Sequence, residues 1–474
     1  MKELRPAAGC ARESAFFAAT RGLCNTCGSL VEAKIVFRSG KVWLEKLCSR
    51  HGPTEALVCS DVDWYRRSLS FVKPGTPPEA RAVPAYSGCP ASCGLCPEHQ
   101  QHTCLPVLEI TDRCDLDCPI CLVGRRGGRD LSVKQVKGIL DGLVRCEGRL
   151  NMLNLSGGEP TLHPDFLRIV DAVRRPEIGI VSVSTHGLAL LRNPDLIREL
   201  RDRDVVISLQ FDGFRPETYG ILRGRRDLAG LKARLLERLL DAGARLSLTV
   251  TLARGVNEGE LGGILDLLFR HDRIISLMVQ PVAHTGHASK RFPGDPMQAV
   301  TIPDVVRLLA GASGGVLEER DFTPLPCSHP SCFALTYLLR TEEGGLVPLP
   351  RILEPEGYLE IIKNQALLNT DADTLGRIRD SLYTLWSSDG VVPDREAVLG
   401  TVRKILLELG RPGREAGHRE LLDLGVRHVK SIFIHHFMDR YTFDLSRAMK
   451  CCHHYPQADG RLLPACVRNN INLV

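Results

Sequence analysis

Cys114, Cys118 and Cys121 follow a short apolar run in LEITDRCDLDCPICLVG (108–124), with three and then two residues between them. A [4Fe–4S] cube ordinarily takes four thiolates, so three leave one iron open for a substrate or cofactor. The chain holds 18 cysteines, and most of the others are grouped too, at 24/27/48/59, 89/93/96/104, 327/332 and 451/452/466, while Cys10 and Cys146 stand apart as ordinary free thiols. The N-terminus MKELRPAAGCARESAFF has no long apolar core before a small-residue cleavage site, so export is not expected. In a reducing cytosol, cysteines at ligand spacings read as metal sites rather than disulfides.

Each group suits a different centre. Cys24-x2-Cys27 and Cys48-x2-His51 flank VEAKIVFRSGKVWLEKL, a hairpin with a Ser-Gly turn, which makes a tetrahedral site for zinc or a rubredoxin-like iron. Spacing favours His51 over Cys59 as the fourth ligand, and a zinc-stapled module with no redox role fits as well. The segment GCPASCGLCPEHQQHTC offers Cys89, Cys93, Cys96 and Cys104 for an auxiliary [4Fe–4S] cluster; it repeats the C-x3-C-x2-C spacing but lacks a comparable preceding strand. Cys327, Cys332, Cys466 and one of Cys451/Cys452 would make a second. Adjacent cysteines rarely serve one cluster, so one of that pair is expected to be spare, and Cys451 is taken as the ligand. His284 and His287 read as a solvated loop, and His435, His436, His453 and His454 as packed or surface residues ahead of cluster or substrate contacts.

The elements that must position these residues alternate between strand and helix. Strand-like runs cover 107–111, 151–156, 178–185, 204–211, 244–252 and 274–281, with helical patterns between them; Ser132 with Gln135 forms a capping-box signature, and Asn193-Pro194 and Asn257 look like helix starts. Apolar runs separated by amphipathic helices imply a parallel sheet. The polar residues of interest fall at the C-terminal ends of these strands, where barrel enzymes place their chemistry. The cysteines follow the first strand, Ser156-Gly157-Gly158-Glu159-Pro160 the second and Ser184-Thr185-His186-Gly187 the third; Ser208, Gln210 and Asp212 share one face of the fourth, with Arg223 just beyond.

The triplet and SGGEP together resemble the radical S-adenosylmethionine (SAM) enzymes. The resemblance implies a partial (β/α)6 barrel in which the cube on Cys114, Cys118 and Cys121 binds SAM and yields a 5′-deoxyadenosyl radical. It puts Gly157, Gly158 and Glu159 at the SAM ammonium, Ser184 in a partial match to the family's Thr-Asn-Gly segment, Ser208, Gln210 and Asp212 within reach of the ribose and methionyl group, and Arg223 on the carboxylate. Ile120 stands where the family usually has an aromatic residue. The full combination, including LPCSHPSCF and IHHFMDRYTFDLSRAMKCC, is similar to the tetraether lipid synthases and their bacterial relatives. That implies hydrogen abstraction from an unactivated lipid-tail carbon and C–C coupling, with about three [4Fe–4S] clusters, SAM, one mononuclear iron or zinc, and an electron donor such as ferredoxin or flavodoxin. Alternatives are a radical C-methyltransferase acting on a dihydropterin and a non-enzymatic metal-binding scaffold.

The whole chain of 474 residues then divides into an N-terminal metal module (1–72), a linker and auxiliary-cluster segment (73–104), the barrel (105–290) and a C-terminal auxiliary-cluster and helical substrate-binding region (291–474). A net charge of +5 with no Lys/Arg block gives no reason to expect nucleic acid. No run reaches the roughly 18 apolar residues that span a bilayer, so a cytoplasmic protein is expected, touching the membrane peripherally if its substrate is a lipid. An apolar tunnel at the barrel's C-terminal face, walled by 355–408 and 432–437, would suit a lipid; a small pocket with acidic and amide groups would suit a pterin.

Overall fold

The computed structural model describes residues 14–84, 88–123, 128–364, 395–409 and 427–471, with the single residues 376 and 425. Cys10 and much of the helical pattern expected over 355–430 lie outside them. The first unit is an antiparallel meander of β1 (Ser14–Leu23), β2 (Leu30–Arg38), β3 (Lys41–Cys48) and β4 (Gly52–Cys59). Its expected Ser-Gly turn closes the Arg38–Lys41 pair with Ser39 at φ 51° and Gly40 at φ 71°. Two left-handed residues are what a two-residue hairpin needs to match strand twist.

The second sheet is built from β5 (Leu105–Thr111), β6 (Leu150–Gly157), β7 (Ile178–Thr185), β8 (Val206–Gln210), β9 (Leu246–Leu252) and β10 (Ile274–Pro281), all parallel and in sequence order. These are the six strands the sequence suggests. The Ser132–Gln135 capping box forms at the start of helix Val133–Glu147, and Asn193 caps helix Pro194–Asp202. Later strands extend both edges: β11 (Phe333–Arg340), β12 (Leu346–Pro348), β13 (Val429–His435), β14 (His453–Pro456) and β15 (Leu462–Pro464). β13 runs parallel to β10 and β14 parallel to β5, so the order across the sheet is β12-β11-β13-β10-β9-β8-β7-β6-β5-β14-β15. The sheet curls until β13 and β14 face each other, with the rings of His435 on β13 and His453 on β14 only 5.1 Å apart. Strands from the C-terminal region thereby close the open side of the six-stranded barrel.

Side chains of a strand alternate between two faces. One face of these strands, with Leu153, Val183, Leu209, Val250 and Val279, is buried in the main hydrophobic cluster with the helices. The opposite face points inward and is unusual for a barrel. Closed (β/α)8 barrels fill this space with layers of bulky branched residues. Here Asn154, Ser182, Ser208 and Thr249 occupy inner positions and bond across strands: Asn154 Nδ2 donates to Ser182 Oγ at 2.8 Å, Ser184 Oγ to Asn154 Oδ1 at 3.0 Å, and Ser208 and Thr249 hydroxyls meet at 3.0 Å. Small polar side chains held against the wall leave the interior open.

Candidate active site

The opening is a cavity of about 850 Å³. Cys114, Cys118 and Cys121 enter it on the loop after β5, and Gly157 and Gly158 line it beside them. Those glycines are required by the loop itself. A Cβ on Gly157, at φ 133°, would lie 2.2 Å from the Thr111 carbonyl oxygen, and one on Gly158 would lie 2.2 Å from that of Arg113. Their removal of bulk lets Gly158 N donate to Thr111 O at 2.8 Å and Glu159 N to Arg113 O at 2.6 Å, which fixes the start of the cysteine loop on β6. On the other side, His287 N donates to Cys121 O at 2.9 Å. The segment expected to be a solvated loop thus packs on the cysteines, and His284 is buried.

Six of the eight candidate SAM residues, Gly157, Gly158, Ser184, Ser208, Gln210 and Arg223, reach the cavity. Glu159 and Asp212 lie behind its wall, each fully buried. Glu159 accepts from Thr161 Oγ1 at 2.5 Å, Thr185 Oγ1 at 2.6 Å and His186 N at 2.9 Å, so protein groups already occupy its oxygens. The SAM ammonium contact expected of Glu159 from SGGEP would have to be made by a carboxylate that these hydroxyls and the His186 amide already orient. His186 Nε2 is 2.8 Å from Asp115 Oδ1 and 3.1 Å from Glu159 Oε2, at ion-pair distance but out of line for a hydrogen bond. The close approach of the His186 ring and then of the Arg192 guanidinium holds the Asp115 carboxyl well below the usual range, tying the cysteine loop to the segment after β7.

Asp212 grips Arg223 in a bidentate pair at 2.7 and 2.9 Å and accepts from Thr251 N at 2.9 Å. Burial alone would lower the Arg223 pKa, but Asp212 and the neighbouring Cys118 raise it overall. Deleting one partner of such a buried pair costs about 3–5 kcal/mol, so the guanidinium is held as a fixed cation at the cavity wall. Sequence reasoning missed Lys232, which is fully buried and donates to His186 O and Gln210 O at 2.5 and 2.6 Å; burial pulls its pKa to about 7. Its signal was its place on the apolar stripe of helix Leu228–Asp241, four residues after Leu228 and three before Leu235. Asn154, Ser182 and Thr249 were missed too, although they share the inward phase of Ser208.

The thiols fit an iron–sulfur cube with SAM. All three line one cavity, a glycine pair lets backbone approach it, and Arg223 supplies a cation for a carboxylate. Burial raises the Cys114 pKa to about 12 and raises that of Cys118, whereas coordination would deprotonate both. When bound, the pair supplies one-electron chemistry that can remove hydrogen from an unactivated carbon.

The profile of the radical SAM superfamily matches residues 108–268. This chain is a radical SAM enzyme. A second profile, the HMPTM N-terminal zinc ribbon domain, matches residues 16–60. Over 96% of its length the radical SAM enzyme is 29% identical to 7,8-dihydro-6-hydroxymethylpterin dimethyltransferase of Methanocaldococcus jannaschii, covering 93% of that protein. It is 36% identical to mycofactocin maturase MftC of Mycobacterium ulcerans over 30% of this chain and 39% of that one. Streptococcus suis SuiB bound to S-adenosylmethionine aligns with a TM-score of 0.37 and 17% identity over 44% of this chain and 46% of that one.

In the enzyme's N-terminal ribbon, ligand atoms of Cys24, Cys27, Cys48 and His51 all lie within 4.8 Å of one another. Cys59 is outside this group; its thiol donates to Asp61 O at 3.2 Å and burial pushes its pKa up to about 12. His51→Ala is therefore expected to lose the ribbon metal and Cys59→Ala to keep it, read by metal analysis of the purified variants. Loss in the Cys59 variant alone would reverse the assignment.

The auxiliary cysteines regroup relative to the sequence reading. Cys104 packs with Cys327, Cys332 and Cys452 in one buried cluster, whereas Cys93 and Cys466, with Cys89 against them, share another. The Cys89 hydrogen bond and then burial push the Cys93 thiol up, with smaller contributions from Cys96 and Cys451. The cause of the regrouping is the β5–β14 join: Cys104 N and Leu105 N both donate to Cys452 O, at 2.9 and 3.0 Å, which carries Cys104 away from 89–96. Cys452, expected to be spare, packs beside Cys104 and is a candidate ligand with it. The candidate sets become Cys104/Cys327/Cys332/Cys452 and Cys89/Cys93/Cys96 with Cys451 or Cys466.

Proposed function

We propose that this radical SAM enzyme replaces a C–H bond of a hydroxymethyl-dihydropterin by C–CH3. The hydrogen leaves to the 5′-deoxyadenosyl radical as 5′-deoxyadenosine, and the methyl group comes from the sulfonium of a second SAM. A low-potential donor such as ferredoxin or flavodoxin supplies the two electrons, one for SAM cleavage and one for the methyl transfer. The relation to the M. jannaschii dimethyltransferase, spread along nearly the whole of both chains, carries this reading. The cavity is compatible with it. Its volume must also take the cube and SAM, and cavities of about 300–1,000 Å³ suit compact ligands. Its polar ladder offers hydrogen bonds that a heteroaromatic ring can use, and Glu109, Asp112 and Asp117 with the amides Asn154 and Gln210 are among its lining residues, Glu109 being paired with Arg468.

A second reading is supported by the cavity floor, where Met152, Ile180, Val206, Ile275, Met278 and Phe433 are apolar. These would receive a lipid tail, as the likeness to tetraether lipid synthases implies, with peripheral contact at the membrane. Among the described residues no helix is long and apolar enough to cross one. Anaerobic incubation of the reconstituted enzyme with reductant, methyl-deuterated SAM and the dihydropterin separates the two. The expected result is pterin-stimulated 5′-deoxyadenosine formation and a methylated pterin by mass spectrometry, with the label showing whether SAM donates the methyl. An inert pterin, together with loss of a coupled lipid from cells lacking the protein, would overturn it in favour of the lipid.

A further inference from the structure

The seam where the curled sheet meets itself is made of rings. Among the described residues no backbone ladder joins β13 to β14. His435 stacks on Phe333, centroids 4.1 Å apart and planes 17° from parallel, and lies 4.0 Å from the Phe437 ring. Across the seam His453 stacks on Tyr455 at 5.3 Å and 19°. All five side chains line the cavity.

Both histidines are 4% exposed, yet His435 Nδ1 and both ring nitrogens of His453 have no hydrogen-bond partner among the described residues. Buried polar atoms are costly when left unsatisfied, and native folds seldom tolerate them in groups. His186 Nε2 and His454 Nδ1 are each single nitrogens unpartnered among the described residues, whereas other buried imidazoles of this chain are paired. His163 pairs through Nε2 with Leu131 O at 3.0 Å and accepts at Nδ1 from Asp165 N at 2.9 Å. His99 Nε2 is 2.7 Å from Cys451 O. Three orphan nitrogens in one stretch of cavity wall therefore indicate groups that a ligand completes.

We propose that His435 and His453 form the substrate-recognition pair, hydrogen-bonding the edge of a planar, nitrogen-rich heteroaromatic ring that packs against the aromatic seam. The inference rests on the pterin reading and deepens it by assigning the ring to the β13–β14 end of the cavity. A neutral imidazole presents one N–H donor and one acceptor nitrogen. The amide and amino groups on the edge of a pterin present both kinds of partner, whereas a hydrocarbon tail presents neither and would leave the orphans unsatisfied. Flanking rings add stacking area in offset or edge geometry.

The test uses the full chain, reconstituted anaerobically, with hydroxymethyl-dihydropterin binding measured by equilibrium dialysis in the presence of SAM. His435→Phe and His453→Phe keep the ring shape and remove the nitrogens, while His435→Gln restores an amide donor and acceptor. Each Phe variant is expected to weaken pterin binding by about tenfold or more, with iron content unchanged, and His435→Gln to recover part of the loss. Phe variants that bind as tightly as the parent would overturn the recognition pair while leaving the pterin reading intact. A parent protein that binds no pterin would overturn both. If His453→Phe loses iron because it adjoins Cys452, His435→Phe, which no cysteine neighbours in sequence, decides.

Discussion

Replacing Cys114, Cys118 and Cys121 together by Ala is expected to abolish 5′-deoxyadenosine formation from SAM, while replacing Cys89, Cys93 and Cys96 leaves SAM cleavage measurable and stops product formation. Both triplets have the same spacing, so spacing cannot rank them. Placement does. The 114–121 cysteines line the cavity beside the glycine pair and Arg223, and Cys89, Cys93 and Cys96 do not. The 114–121 loop also carries Asp115, which meets His186, and is braced by His287, so the wall around it is built to hold a ligand on that side. Anaerobic assays under dithionite with chromatographic detection of 5′-deoxyadenosine separate the two variants. If the 89/93/96 variant were the one unable to cleave SAM, the roles of the triplets would be exchanged.

The barrel was legible because its signal is local. β5 to β10 are short apolar runs with turn chemistry between them, and the Ser132–Gln135 box and Asn193-Pro194 are contiguous cap signatures. The inward residues follow from the same alternation once one of them is known. What stayed hidden depends on pairing across long separations. β13 lies more than a hundred residues after the strand it joins, and β14 pairs with β5 through only His453 and His454. No local pattern announces such a join. The partition of the auxiliary cysteines was lost with it, because proximity along the chain placed Cys104 with Cys96 while the sheet placed it with Cys452. Glu159 shows a different limit: a motif gives the residue's position, but whether its oxygens face a ligand or neighbouring hydroxyls depends on Thr161 and Thr185, which the motif does not contain.

Iron loss in paired variants is the largest effect expected from the regrouped cysteines. Cys104→Ala and Cys452→Ala should each destabilise the same cube, worth about four irons per chain. Because both act on one group, the double variant should lose no more iron than either single one, the non-additivity that marks a shared site. Cys89→Ala combined with Cys452→Ala should instead lose about twice as much, since these thiols belong to different sets. The two partitions give opposite results here. With Cys104 grouped beside Cys89 and Cys452 left as a free thiol, Cys452→Ala would keep its full iron and its electron paramagnetic resonance spectrum, and Cys104→Ala would be non-additive with Cys89→Ala. The structure favours the first outcome for a geometric reason: Cys452 gives its carbonyl to the amides of Cys104 and Leu105, so the two thiols are brought together by the same hydrogen bonds that close the barrel on its β5 side.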